Sequence, residues 1–358
     1  MNRQSFAPLA VSSVLLALSA LLPFAANADT HVSGSITTNT TWDSSNGVYI
    51  VDADVTVNNG VTLTVNPGTI VKFDNGIALI VANGGTLVAG SASATTVYFT
   101  SLKDDKVGGD TNGDGSATAP AAGNWDDIKL NSGASSTIVS AVVRYGGFNT
   151  CCSKVGADIY NAGGTLTLDN VTVATSTSYG IDQTSGTTNI LGSDIHKADY
   201  GAFVTGGNMT ISSSALHDTT NQTLYDQSSG SLTLTGDTFS NFGASAIYLY
   251  LNSGLAFTHS NNTASGSGPR AFYMDGSIGS DETWTGGDLP YAILTGLTVP
   301  SGKTLTIEEG AVVKLDNGQS LTIANGGALR VDLIPCFGTK LSMISDEGKG
   351  NRHDGEQA

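Results

Sequence analysis

The chain alternates apolar and polar residues in short runs, broken at close intervals by Asn-Gly, Pro-Gly or Gly-Gly. Val55-Thr56-Val57, Thr62-Leu63-Thr64-Val65 and Thr69-Ile70-Val71-Lys72-Phe73 follow one another in this way. A period of two bounded by turn residues predicts short strands with one face buried, joined by tight turns. The pattern also returns on a longer scale. Residues 41–89 reappear at 283–331, where 21 of the 49 paired positions are identical, Trp42 matching Trp284 and Tyr49 matching Tyr291.

A finer period runs between the two copies. Apolar residues that follow a small or Gly-rich turn line up as Ile159, Ile181, Phe203, Leu224, Ile247 and Phe272, spaced 21 to 25 positions apart. A second series runs in step: Leu166/Leu168, Thr188/Ile190, Met209/Ile211, Leu232/Leu234 and Leu255/Phe257. A third comprises Val173, Ile195, Leu216 and Phe239. A repeat near 22 is too short for a propeller blade and lacks the helical half of a leucine-rich or ankyrin unit. Three strands and three turns close one coil of a parallel β-helix. The expected fold is all-β, a single-stranded solenoid of about 12 rungs of about 22 residues. At about 4.8 Å per rung its length would be on the order of 55 to 60 Å.

Composition supports this and adds a compartment. Gly at 45 of 358 residues and a charged fraction of only 13% suit a fold rich in turns, while 39% hydrophobic residues supply an inward column for each strand. Residues 1–28 carry Arg3, an apolar run from Phe6 to Phe24 and Ala26-Asn27-Ala28, and read as a cleaved secretory signal. No later stretch approaches 18 consecutive apolar residues, so no membrane span is expected after cleavage. The net charge of −16 makes nucleic acid and anionic membranes poor partners. Polyanionic glycans are disfavoured too, since residues 115–300 contain only Lys129, Arg144, Lys154, Lys197 and Arg270 as bases. Cations are the better-matched small partners.

The excursion over residues 100–124 holds the strongest candidate site. Asp110, Asn112 and Asp114 place oxygen ligands at alternate positions with Gly115 to permit a sharp turn, as in the first half of a calcium loop, and Asp104 and Asp105 lie close by. The match stops there, because Ala121 stands where an EF-hand would place its bidentate Glu. Two readings remain: a Ca2+ site formed by Asp104, Asp105, Asp110, Asn112 and Asp114, or Asx-turns that hold a solvent loop in shape.

The succession TLTVNPGTIVKF, GGTLVAG, VYFTSLKDD with GGDTNGDG, then Pro120, GNWDDI and VVRYGG resembles the opening module of bacterial secreted right-handed parallel β-helix surface proteins. The resemblance covers about Trp42 to Gly147 and again Trp284 to Asp332, and implies the right hand of the coil and a secreted or cell-surface location. The wider superfamily resembles pectate lyases and polygalacturonases in fold only. Gly-His-Gly and Arg-Ile-Lys strings of the polygalacturonase type are absent. Carboxylate pairs such as Asp126/Asp127 or Asp194/Asp199 are candidates for the spacing that glycoside hydrolysis requires, but so are many pairs in so acidic a chain.

Other features each carry two readings. His196 and His217 follow the inward Ile195 and Leu216 on successive rungs, so they stack about 5 Å apart on the outer face beside Asp194, Asp199 and Asp218. Such a pair can share a transition metal or act in acid–base chemistry; it can equally belong to a ladder of polar side chains that includes Ala174 and Ser240. Outward Thr167, Thr210 and Thr233 raise ice binding, against which Asn189 and Ala256 interrupt the array. Adjacent Cys151 and Cys152 are expected on an inserted turn loop, with Cys336 distant. After Val331 the alternation ceases and charge rises.

The expected organisation is a signal over 1–28, a module over 29–277, the start of a second, incomplete module over 278–332 and a tail over 333–358. The expected function is a non-catalytic extracellular scaffold or adhesin with a carbohydrate or surface-protein partner. The alternative is a polysaccharide lyase or glycosidase using Asp residues on the solenoid face.

Overall fold

The computed structural model describes residues 28–92, 95–149, 155–251 and 254–332, together with the strand Lys340–Met343. The expected signal segment, apart from its last residue Ala28, lies outside these residues, as do the adjacent cysteines and Cys336. The described chain is an all-β parallel solenoid of about 13 turns with almost no helix, a 3-10 turn at Ser44–Asn46 being one short exception. No described helix is long and apolar enough to cross a membrane, which says nothing about crossing by strands.

Three strand faces wind around one apolar core. On the first face the inward column is Tyr49, Val71, Phe99, Val143, Val173, Ile195, Leu216, Phe239 and Ala264, each paired in parallel register with the next. The second face stacks Val55, Leu79, Ile128, Ile159, Ile181, Ala202, Leu224, Ile247 and Phe272. The third stacks Leu63, Leu87, Ser136, Leu166, Thr188, Met209, Leu232 and Phe257. Inward side chains in these columns are nearly all at or below 3% exposure, so strand alternation converts directly into burial.

Two positions depart from the expected series. On the second face Ala202, not Phe203, points inward; Phe203 pairs with Asp182 and Tyr225 on the outer side. The determinant is Gly180 and Gly201, each immediately before the inward residue, where an added Cβ would lie 2.6 Å from a carbonyl oxygen of the next rung. On the third face Phe257 and His259, not Leu255 and Phe257, continue Leu232 and Leu234. Outside them, Thr258 rather than Ala256 follows Thr233, so the outer column reads Thr41, Thr64, Val88, Thr137, Thr167, Asn189, Thr210, Thr233 and Thr258.

The second copy joins out of phase. Tyr291, the counterpart of Tyr49, stacks on Phe272 and therefore on the second face, whereas Tyr49 begins the first. The offset between copies thus includes a third of a turn. The Trp42–Tyr49 ring stack, with centroids 5.1 Å apart, recurs as Trp284–Tyr291 at 4.4 Å. A turn ladder ties the joint together: Ser193 Oγ accepts from Val171 N, Ser214 Oγ from Ser193 N, Asp237 Oδ1 from Ser214 N, Asn262 Oδ1 from Asp237 N and Asp288 Oδ1 from Asn262 N. Each turn side chain satisfies a backbone donor that the bend has taken out of the strand ladder. At the joint, His259 Nδ1 lies 2.8 Å from Asp288 Oδ2 and its Nε2 lies 2.5 Å from the Tyr291 hydroxyl.

Candidate functional site

The Asp-rich loop leaves the first face after strand Val97–Ser101 and returns at Ile128–Leu130. Two cations, a buried Lys72 and a half-buried Arg144, hold it against the solenoid. Lys72 projects from strand Ile70–Phe73, is fully buried, and donates to Gly109 O at 2.6 Å and Thr111 Oγ1 at 3.0 Å. Burial lowers its pKa against the opposing pull of Asp104 and Asp105. Arg144 donates from Nε at 3.0 Å and Nη2 at 2.5 Å to Asp104 Oδ2, which also accepts from Thr100 Oγ1 at 2.7 Å. The guanidinium lies over the rings of Tyr98 and Tyr145. Trp125, stacked on Phe73 at 4.3 Å, closes the loop by donating its indole N–H to Arg144 O.

The five residues expected to bind Ca2+ therefore divide. Asp104 is wholly buried and committed to Arg144. Asp105, Asp110 and Asp114 bring carboxylate oxygens within 4.8 Å of one another. Oxygens no farther apart than this can share one Ca2+ with bonds of about 2.4 Å each. Asp105 Oδ1 is buried and has no hydrogen-bond partner. Asp110 accepts the backbone N–H groups of Asp114 and Gly115, and Asp114 those of Ala117 and Thr118, so Asx-turns also shape the segment. The Thr118 hydroxyl, with these N–H groups, holds Asp114 below its ordinary pKa. Asn112 gives its amide N–H to Asp114 Oδ2 at 2.9 Å, while its Oδ1 faces Asp114 N at 3.5 Å. A cleft of about 530 Å³ beside the loop is lined by Asp29, Val48, Ile70, Gly108, Asp110 and Thr111, among others.

The histidine pair lies on the first face. His196 and His217 are register partners, with ring centroids 4.8 Å apart and planes within 9°. His217 Nε2 is 2.8 Å from Asp194 Oδ1, and its Nδ1 is 3.0 Å from Asp218 Oδ2. His196 Nδ1 stands 3.4 Å from the same Asp194 oxygen. Burial lowers the His196 pKa, outweighing the opposing effect of Asp194. Asp199, the other carboxylate expected here, instead accepts from the Thr220 hydroxyl.

A family model described as "Right handed beta helix region" matches residues 155–285, the rungs that carry these columns. The chain is a right-handed parallel β-helix repeat protein. No curated protein and no solved structure matches it.

Along the second face of the β-helix runs an outer aromatic stack that the sequence reading did not foresee. Phe203 and Tyr225 lie 5.1 Å apart at 18°, Tyr225 and Tyr248 5.0 Å apart at 1°, and Tyr179 and Tyr200 flank them. Their faces cover one another and so are withdrawn from a sugar ring. Adjacent spacing of Phe203, Tyr225 and Tyr248 after the Ala202 column was the available signal. Burial raises Asp182, Asp226 and Asp237 to about 6 and Glu282 to about 7. The three aspartates stand apart: Asp182 is on the outer side of the second face, Asp226 on its inner side, and Asp237 sits in the turn ladder, while Glu282 lies on the strand that pairs with Leu305.

Proposed function

We propose that this β-helix is a secreted or cell-surface scaffold that acts by binding, with Ca2+ held by Asp105, Asp110 and Asp114 to stiffen the loop beside the cleft. The observation that carries this reading is the third face. Over eight consecutive rungs its two outer columns pair Thr62 with Thr64, Thr86 with Val88, Ser135 with Thr137, Thr165 with Thr167, Thr187 with Asn189, Asn208 with Thr210, Ser231 with Thr233 and Ala256 with Thr258. These two columns are mostly hydroxyl and amide groups, interrupted by Val88 and Ala256, and carry no charge of their own, although Asp169 stands in the next outward column. Such a surface suits a neutral glycan or an uncharged protein surface, and the acidity of the chain disfavours polyanions.

The test is a panel of neutral and acidic polysaccharides presented to purified protein with and without Ca2+, scoring retention and product together. Retention of neutral polymers without new chain ends supports the proposal. Release of unsaturated or reducing ends overturns it in favour of a lyase or glycosidase.

A further inference from the structure

We propose that Asp194, His196 and His217 form a binding site for a borderline divalent transition-metal ion, of which Zn2+ is the representative. The three side chains come from two paired strands, Asp194–His196 and Ala215–Thr219, whose register fixes His196 directly against His217. Their ligand atoms lie within 4.8 Å of one another. Two nitrogens and one carboxylate oxygen are the donor set that Zn2+ and its neighbours prefer over Ca2+.

Hydrogen-bond bookkeeping at His217 points to the same conclusion. A neutral imidazole has one N–H to give. Both of its ring nitrogens face carboxylate oxygens at hydrogen-bond distance, Asp218 Oδ2 at 3.0 Å and Asp194 Oδ1 at 2.8 Å. If Nδ1–H is given to Asp218, the Nε2 lone pair meets the Asp194 oxygen with no hydrogen between them, and a cation is required there. His196 Nδ1, shielded from solvent and without a hydrogen-bond partner, is directed at the same Asp194 oxygen from 3.4 Å. The Asp218 contact is then the outer support that fixes tautomer and ring plane of a ligating histidine. Asp218 is itself held by the Asn241 amide at 3.0 Å. Asp194 keeps 45% of its side chain exposed, which leaves the ion a path in and a remaining coordination position for water.

The competing occupant is a second proton on His217, and the experiment separates the two. Untagged, chelator-stripped protein is titrated with ZnCl2 by calorimetry and with Co2+ by visible absorption. One ion per chain is expected, with Co2+ bands of nitrogen–oxygen ligation and no thiolate charge-transfer band. His196→Ala and His217→Gln should each remove the endpoint, and Asp218→Asn should weaken Zn2+ binding about 10- to 100-fold. X-ray absorption of the Zn2+-loaded wild type should report two imidazole ligands, a readout that requires no variant to fold. The proposal fails if the wild type gives no endpoint. It fails equally if the endpoint survives in both histidine variants, the ion then being held at the Asp-rich loop or by cysteine thiols.

Discussion

Removing the Arg144 guanidinium should expose how the Asp-rich loop is anchored. Asp104 has no solvent exposure, Oδ2 receives Thr100 and both Arg144 donors, and Oδ1 receives none. Arg144→Met therefore strands a buried carboxylate with one neutral donor, a change that costs about 3–5 kcal/mol when a buried pair loses one partner. Asp104→Asn leaves Arg144 with 22% of its side chain exposed and able to reach water, so it should cost less, about 1–3 kcal/mol. The double variant should recover about 2 kcal/mol relative to Arg144→Met, because the stranded charge is gone. Equilibrium urea unfolding followed by far-UV circular dichroism gives the four stabilities of this cycle. Tryptophan fluorescence adds a local report, since Trp125 donates to the Arg144 carbonyl. An Arg144→Met cost below about 1 kcal/mol, or a double variant that loses the sum of the two singles, would refute the account. The loop would then hang on Lys72 alone.

Four further outcomes are expected. Ca2+ should raise the melting temperature in a differential scan, and Asp110→Asn with Asp114→Asn should abolish that rise while Asp104→Asn leaves it in place. Burial raises Asp226 to about 6, so its contribution to stability is fully present below about pH 4 and lost as pH rises through 6. Urea midpoints at pH 5 and pH 8 should differ accordingly, by no more than about 3 kcal/mol for this group, and Asp226→Asn should shrink the difference. Asp288→Ala removes acceptors for Asn262 N, Asn262 Nδ2 and His259, and should loosen hydrogen-exchange protection in residues 256–315 before the earlier rungs respond. Leu216→Ala, in the middle of the first column and fully buried, should cost about 2–5 kcal/mol by chemical denaturation.

The columns of the first face were legible because Val173, Ile195, Leu216 and Phe239 are all large, apolar and similarly placed after their turns. Elsewhere side-chain size misled. Phe203 outweighs Ala202 in hydrophobicity, yet backbone crowding at Gly201 decides which of them faces inward. His259 looks like a surface residue until Asp288 and Tyr291, some 30 positions later, supply the partners that let an imidazole enter the core. Spacing alone revealed Asp110 and Asp114 as loop formers, whereas the withdrawal of Asp104 depends on Arg144, which is 40 positions away in sequence. The stacking of His196 on His217 was readable because it needs only the rung period. The phase of the second copy was not, since the loop over 100–124 and the residues between Arg144 and Ala157 hide how many strands separate Tyr49 from Tyr291.

That third-of-a-turn phase has a bearing on valency. Each added module would rotate its loops by one face about the solenoid axis, so three modules would complete a circuit. A fibre built by this rule would display its Asp-rich loops as a spiral staircase, accessible from every azimuth, where an in-phase repeat would confine them to a single edge. Partners approaching such a fibre from any side would meet a loop within three modules, and neighbouring loops would be spaced too far apart in angle to crowd one another.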